Sequence, residues 1–149
     1  MTMSWTSPTT ILVGVDGSEA SLGALQWALG SARAHGANVS VVLAWQIPFS
    51  IMVSPTKTGT DYERPHQEAL DDLRGRVRAE AEGLQVTWEL TEERPGPALC
   101  RRAEQADLLV VGAHGHGGGE GFHLGSVANY CVHHAPCPVV VHRPRHQDQ

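Results

Sequence analysis

Lysine is almost missing from this chain. Of eleven basic residues only Lys57 is a lysine, and the formal net charge is −5. A broad basic face tracking a phosphodiester backbone is therefore not expected, and neither is nucleic-acid binding. The same shortage removes the P-loop, which needs a lysine following its glycines. The dinucleotide fingerprint G-x-G-x-x-G has no match either. No apolar run approaches the ~18 residues that cross a bilayer, so no membrane segment is expected. The opening MTMSWTSPTT carries neither a basic region nor an apolar stretch, which argues against a secretion signal. The three cysteines, Cys100, Cys131 and Cys137, are an odd number without disulfide-framework spacing, and a reduced, cytoplasmic setting follows. Internal repeats, low-complexity tracts and long linkers are also lacking. A chain of 149 residues suits one domain, 1–149, with its core from about 9 to 144 and short polar tails.

What is present alternates. TILVGVD (10–16) reads as a buried strand closed by a turn at Asp16-Gly17. Leu22, Leu25, Leu29 and Ala32 recur at helical spacing up to Gly36, and NVSVVLAW (38–45) is a second strand. Residues 46–60 read as irregular, punctuated by Pro48, Pro55 and Gly59. Leu70, Leu73, Val77 and Ala81 mark one further amphipathic helix, and LQVTWEL (84–90) a third strand. Gly96-Pro97 opens a short helix to about Gln105, followed by the strand ADLLVVG (106–112), a helix over 126–134 and the strand CPVVVHRP (137–144). Strands alternating with helices, each strand nearly continuously apolar, predict a doubly wound α/β fold. Its five-stranded parallel sheet has helices on both faces.

The densest chemistry lies in GAHGHGGGEGFHLGS (112–126), between the fourth strand and the last helix. Gly112 ends a strand, and Gly115 lets the chain turn with positive φ or approach a ligand closely. Gly125 and Ser126 start a helix whose free N–H groups suit an anion, with the Ser126 hydroxyl as a further donor. The alternative is structural: Ser126 caps its helix and the glycines only turn the chain. On local grounds the two readings stand level.

The spacing G-x2-G-x9-G-S resembles the ATP-binding signature of the universal stress protein family. The resemblance extends to the flanks ILVGVDGSEAS, VVLAW, GPA, ADLLVVG and HHAPCPVVVHRP, in order. It implies the strand order 3-2-1-4-5, with the loops after the first and fourth strands flanking a switch-point crevice. It further implies an adenine-nucleotide site for ATP with Mg²⁺. Gly14, Val15 and Asp16 would stand at the adenosine end and Ala44 against adenine. Gly112, Gly115, Gly125, Ser126 and the Val127 N–H would hold ribose and phosphates. Asp16 has a capping-box alternative with Glu19, and Ala44 an ordinary packing role. The chain departs from the family pattern at His116, where arginine is frequent, and at Gly119, Glu120 and Ala128. An imidazole titrates near ~6.5, so binding at His116 is expected to weaken above neutral pH.

The function implied is a stress-response or signalling protein acting through a ligand-ordered glycine-rich loop, without efficient phosphoryl transfer. The rival is a nucleotide-free interaction or structural protein acting through its dimer surface. CPVVVH at a sheet edge would pair with its two-fold mate, giving a homodimer through residues 138–142. No metal site is expected from His114, His116, His123, His133 and His134, which lack a structural-zinc spacing. Trp27, Trp45 and Trp88 read as packing residues, and no redox role is expected of the cysteines.

Overall fold

The structure is a computed structural model that describes residues 7–47, 58–116 and 123–145. Five strands, β1 (Thr10–Val15), β2 (Asn38–Trp45), β3 (Val86–Glu92), β4 (Leu108–Gly112) and β5 (Val139–His142), form one parallel sheet. Their order is β3-β2-β1-β4-β5. At its centre Ile11 of β1 pairs with Val39 on one side and Leu108 on the other. The doubly wound α/β fold expected from the sequence is the one observed, strand order included.

Alternate strand residues point to opposite faces and so feed two cores. Ile11, Val13, Val39, Val41, Leu43 and Val110 pack with α1 (Glu19–His35), α2 (Gly59–Arg76) and Val77 beside α3 (Arg78–Ala81). Leu12, Val42, Leu109 and Val111 pack with α4 (Pro95–Arg102) and α5 (Ser126–His134). Leu25 and Leu29 in α1 are fully buried, each contributing about 1.5–3 kcal/mol by leaving water. Ser18 caps α1 by accepting the Ser21 N–H at 3.2 Å, and Gly36 ends it in the left-handed region at φ 70°. That conformation is easy only for glycine.

Several boundaries differ from the sequence reading. Residues 59 and 60 are helical, because Asp61 accepts the Thr58 N–H at 2.9 Å and fixes the start of α2 there. The stripe Leu70-Leu73-Val77-Ala81 is two helices, because Val77 leaves the helical region at φ −106°, ψ 14°. Its side chain is nevertheless fully buried, so the hydrophobic period survives the break. β3 begins at Val86, since Gly83 turns the chain at φ 81° and the Leu84 N–H bonds the Ala81 carbonyl. β4 begins at Leu108. Asp107 instead accepts from the Thr9 N–H, the Thr9 hydroxyl and the Thr10 N–H, tying the starts of β1 and β4 together. The last strand is confined to Val139–His142.

Trp45 is buried, whereas Trp27 is 40% exposed, so its indole is not the core residue expected. Burial and the neighbouring Cys100 push the Cys131 thiol up to about 12, which keeps it protonated at neutral pH. Among the described residues, no helix is long and apolar enough to cross a membrane.

Candidate functional site

At the carboxyl ends of β1 and β4, where strand order reverses, the chain leaves a cleft of about 440 Å³. Open parallel sheets bind ligands at such switch points. Gly14, Val15, Asp16, Ala44, Gly112, Gly115, His116, Gly125, Ser126 and Val127 all line it. The fold thus brings together the ten residues assigned to the site from the sequence. It adds Ser21, Val42, Pro95, Leu99, Val111, His114 and Ala128.

One end of the cleft is apolar. Val42 and Ala44 from β2 face Pro95 and Leu99 from α4. Gly14 makes this packing possible, since a Cβ there would overlap the Leu99 Cδ1. Val42 and Leu99 escaped the sequence reading because an apolar residue on a strand or helix stripe reads as core. Both are in fact core residues whose edges also wall the cleft. Ser21 is likewise buried, and its hydroxyl donates to the Ser18 carbonyl at 2.9 Å.

The other end is built from backbone. The Gly125 N–H donates to the Ala113 carbonyl at 2.7 Å, pinning the start of α5 against the end of β4. A Cβ on Gly125 would stand 3.0 Å from the His114 Cα, and one on Gly112 3.2 Å from the Ala20 carbonyl oxygen. These glycines therefore serve close approach between backbones. Gly125 is the N-cap of α5, and Ser126 is its first helical residue. The capping role allowed for Ser126 is not the one it has. The N–H groups of Ser126, Val127 and Ala128 lie ahead of the bond from the Asn129 N–H to the Gly125 carbonyl at 2.9 Å, at the positive end of the helix dipole.

Asp16 and His116, one hundred residues apart, join the two loops. Asp16 Oδ1 accepts the Ser18 N–H at 2.9 Å and Oδ2 the His116 N–H at 3.0 Å. The His116 Nε2 lies 2.8 Å from the Asp16 carbonyl oxygen. Partial burial works against the Asp16 carboxylate, but the Ser18 and His116 hydrogen bonds outweigh it and hold the group below its usual range. A Cβ on Gly115 would overlap Asp16 Oδ2, and Gly115 is not among the positive-φ glycines. It is small for the sake of this carboxylate rather than for a turn. The capping box between Asp16 and Glu19 does not form: Ser18 is the cap, and Glu19 binds Arg76 at 3.0 Å.

Nearby, His66 of α2 stacks on Trp45 with ring centroids 5.0 Å apart. Burial and then the proximity of His116 lower its pKa. Gly119 and Glu120 lie outside the described residues. Among the described residues, no three histidine, cysteine or carboxylate side chains gather in a metal-binding arrangement.

Comparison with known proteins places this architecture. The model of the universal stress protein family matches residues 8–143. A universal stress protein of Mycobacterium tuberculosis is 35% identical over 136 residues, covering 89% of this chain and 45% of that protein. The chain thus spans less than half the length of that relative. The structure of the universal stress protein UspA from Lactobacillus plantarum matches with a TM-score of 0.74 at 28% identity, over 94% of this chain and 100% of that one. A universal stress protein in complex with cAMP matches with a TM-score of 0.68 at 26% identity, over 91% and 97% of the two chains. Sequence, fold and cleft agree, and the chain belongs to the universal stress protein family.

Proposed function

We propose that the chain binds an adenine nucleotide, ATP with Mg²⁺ first among them, in the switch-point cleft, and acts in a cytoplasmic stress response. The observation that carries this reading is one cleft with two unlike ends. A purine fits the apolar slot of Val42, Ala44, Pro95 and Leu99. Phosphates suit the first-turn N–H groups of Ser126, Val127 and Ala128 at the start of α5. Gly14, Val15 and Asp16 line the same cleft. The cAMP complex of a family member supports the class of ligand. Mg²⁺ would arrive with the triphosphate and be held mainly by it.

The protein binds rather than converts. Among the described residues the only carboxylate lining the cleft, Asp16, is taken up by two N–H groups, and no lysine or cysteine side chain lines it. A phosphoryl-transfer site needs a free base and cationic clamps there. The signal is then the bridging of Gly112–His116 and Gly125–Val127 by ligand, which changes what the unit of residues 9–144 presents to a partner.

That unit works as a homodimer. β5 is an edge strand, and both helices beside it carry exposed apolar side chains, Trp27 on α1 and Val132 on α5. A second copy pairing along residues 138–142 covers the open edge and both side chains. Thermal unfolding with and without Mg-ATP tests the binding reading. At a hundredfold excess over Kd the ligand adds ~2.7 kcal/mol, which raises Tm visibly. An unchanged Tm at millimolar Mg-ATP favours the nucleotide-free interaction protein instead.

A further inference from the structure

The contact between His116 and Asp16 decides which proton the imidazole carries. Nε2 lies 2.8 Å from the Asp16 carbonyl oxygen. A carbonyl only accepts, so Nε2 is the donor and carries hydrogen in both protonation states. The His116 backbone N–H is also committed, to Asp16 Oδ2. Among the described residues Nδ1 is the one ring nitrogen of His116 without a hydrogen-bond partner.

In the neutral ring Nδ1 is therefore a bare lone pair, which repels a phosphate oxygen. In the imidazolium it is an N–H, which a phosphate oxygen accepts with charge assistance. His116 lines the cleft, as do Gly115 and Ser126. We propose, resting on the nucleotide reading above, that His116 is a phosphate-recognising residue whose contact forms only on protonation, so that binding an adenine nucleotide takes up a proton at Nδ1.

The charged surroundings fix the sign and the strength of this coupling. The Asp16 carboxylate, facing His116 from the β1–α1 loop, favours the imidazolium. His66, facing it from α2, opposes it once charged, because two imidazolium ions repel. His114 of the same loop lines the same cleft. Glu19, in the first turn of α1, is paired with Arg76. A dianionic or more highly charged phosphate adds to the attraction of Asp16, so phosphate binding and protonation of Nδ1 favour each other. The family pattern with arginine at this position has no such coupling, since a guanidinium holds its charge at every physiological pH.

Calorimetric titration of the full chain with ATP, in two buffers of different ionisation enthalpy near neutral pH, reads the proton directly. The free phosphate also titrates in this range, so the decisive quantity is the difference between the chain and His116→Gln, which keeps a donor for Asp16 but cannot titrate. The chain takes up more protons than His116→Gln. Its ATP affinity falls from about pH 6 to about pH 8 toward the one-proton limit of about tenfold per unit, while adenosine affinity stays flat. His66→Gln raises ATP affinity only in acid, where His66 would otherwise be charged, and leaves it unchanged at neutral pH. If the variant does not fold, the His116 ring-proton shift of the unaltered chain serves, its titration midpoint moving to higher pH with ATP. Equal proton uptake in the chain and His116→Gln, or a midpoint that does not move while ATP binds, overturns the proposal. Adenosine and ATP both failing to bind at any pH overturns the nucleotide reading beneath it.

Discussion

Gly115 carries more of the candidate site than its size suggests. Its backbone presses on the Asp16 carboxylate so closely that any Cβ overlaps Oδ2. Gly115→Val therefore separates Asp16 from the loop and breaks the His116 N–H to Oδ2 bond. Hydrogen bonds to charged groups are worth about 1.5–3 kcal/mol. The expected result is a loss of ATP affinity of about tenfold or more with the far-UV spectrum unchanged; undiminished affinity contradicts it. The sequence showed that the two glycine-bearing loops meet, because the family spacing implied it. It could not show that Asp16 and His116 bond each other, since that contact exists only once β1 and β4 lie side by side. Ser126 gives the reverse case. Its residue type suggests a cap, but the chain places Gly125 at the cap and leaves the serine facing the cleft.

Between elements, a network of ion pairs joins α4 to β3 and the residue that follows it. Arg102 grips Glu89 through Nε and Nη2 at 2.8 and 2.6 Å and reaches Glu93 at 2.9 Å, while Arg101 binds Glu93 at 2.6 Å. The two guanidinium groups, Arg102 foremost, hold Glu93 down to about 2, and Arg102 also lowers Glu89. A carboxylate depressed in the folded state contributes stability that is complete above its usual range of about 4.5. That contribution is lost as pH falls through the folded value, about 2 for Glu93. Arg102→Met is thus expected to lower Tm at neutral pH and to flatten the decline of Tm between about pH 5 and about pH 2. An unchanged acid slope contradicts the assignment. Strands and helices were legible because burial on one or both faces imposes a period of 2 or 3.6. The break at Val77 was not, since its side chain keeps the helical stripe while its backbone leaves the helix. Trp27 misled for a related reason: its place on α1 looks like packing, yet its side chain is exposed on a helix that packs against the edge strand β5.

At the scale of the whole molecule, two surfaces carry the account, the switch-point cleft and the β5 edge. Burying Trp27 in a two-fold interface predicts that Trp27→Arg shifts the molecule toward monomer in sedimentation velocity, with its thermal unfolding otherwise cooperative. A variant as dimeric as the unaltered chain contradicts that interface. The cleft was legible as a frame of glycines at one sheet position, because glycine spacing survives in the sequence as written. Its apolar wall of Val42 and Leu99 was not, because those side chains satisfy core and cleft together. The central claim is that adenine nucleotide enters this cleft, and amide chemical-shift mapping with Mg-ATP tests it most directly. The account predicts the largest shifts at Val15, Asp16, Ala44, Gly112, Gly115, Ser126 and Val127, with the separate groove lined by Arg74, Leu84, Val86 and Trp88 unmoved. No shifts at millimolar Mg-ATP, or shifts confined to the Trp88 groove, would contradict it.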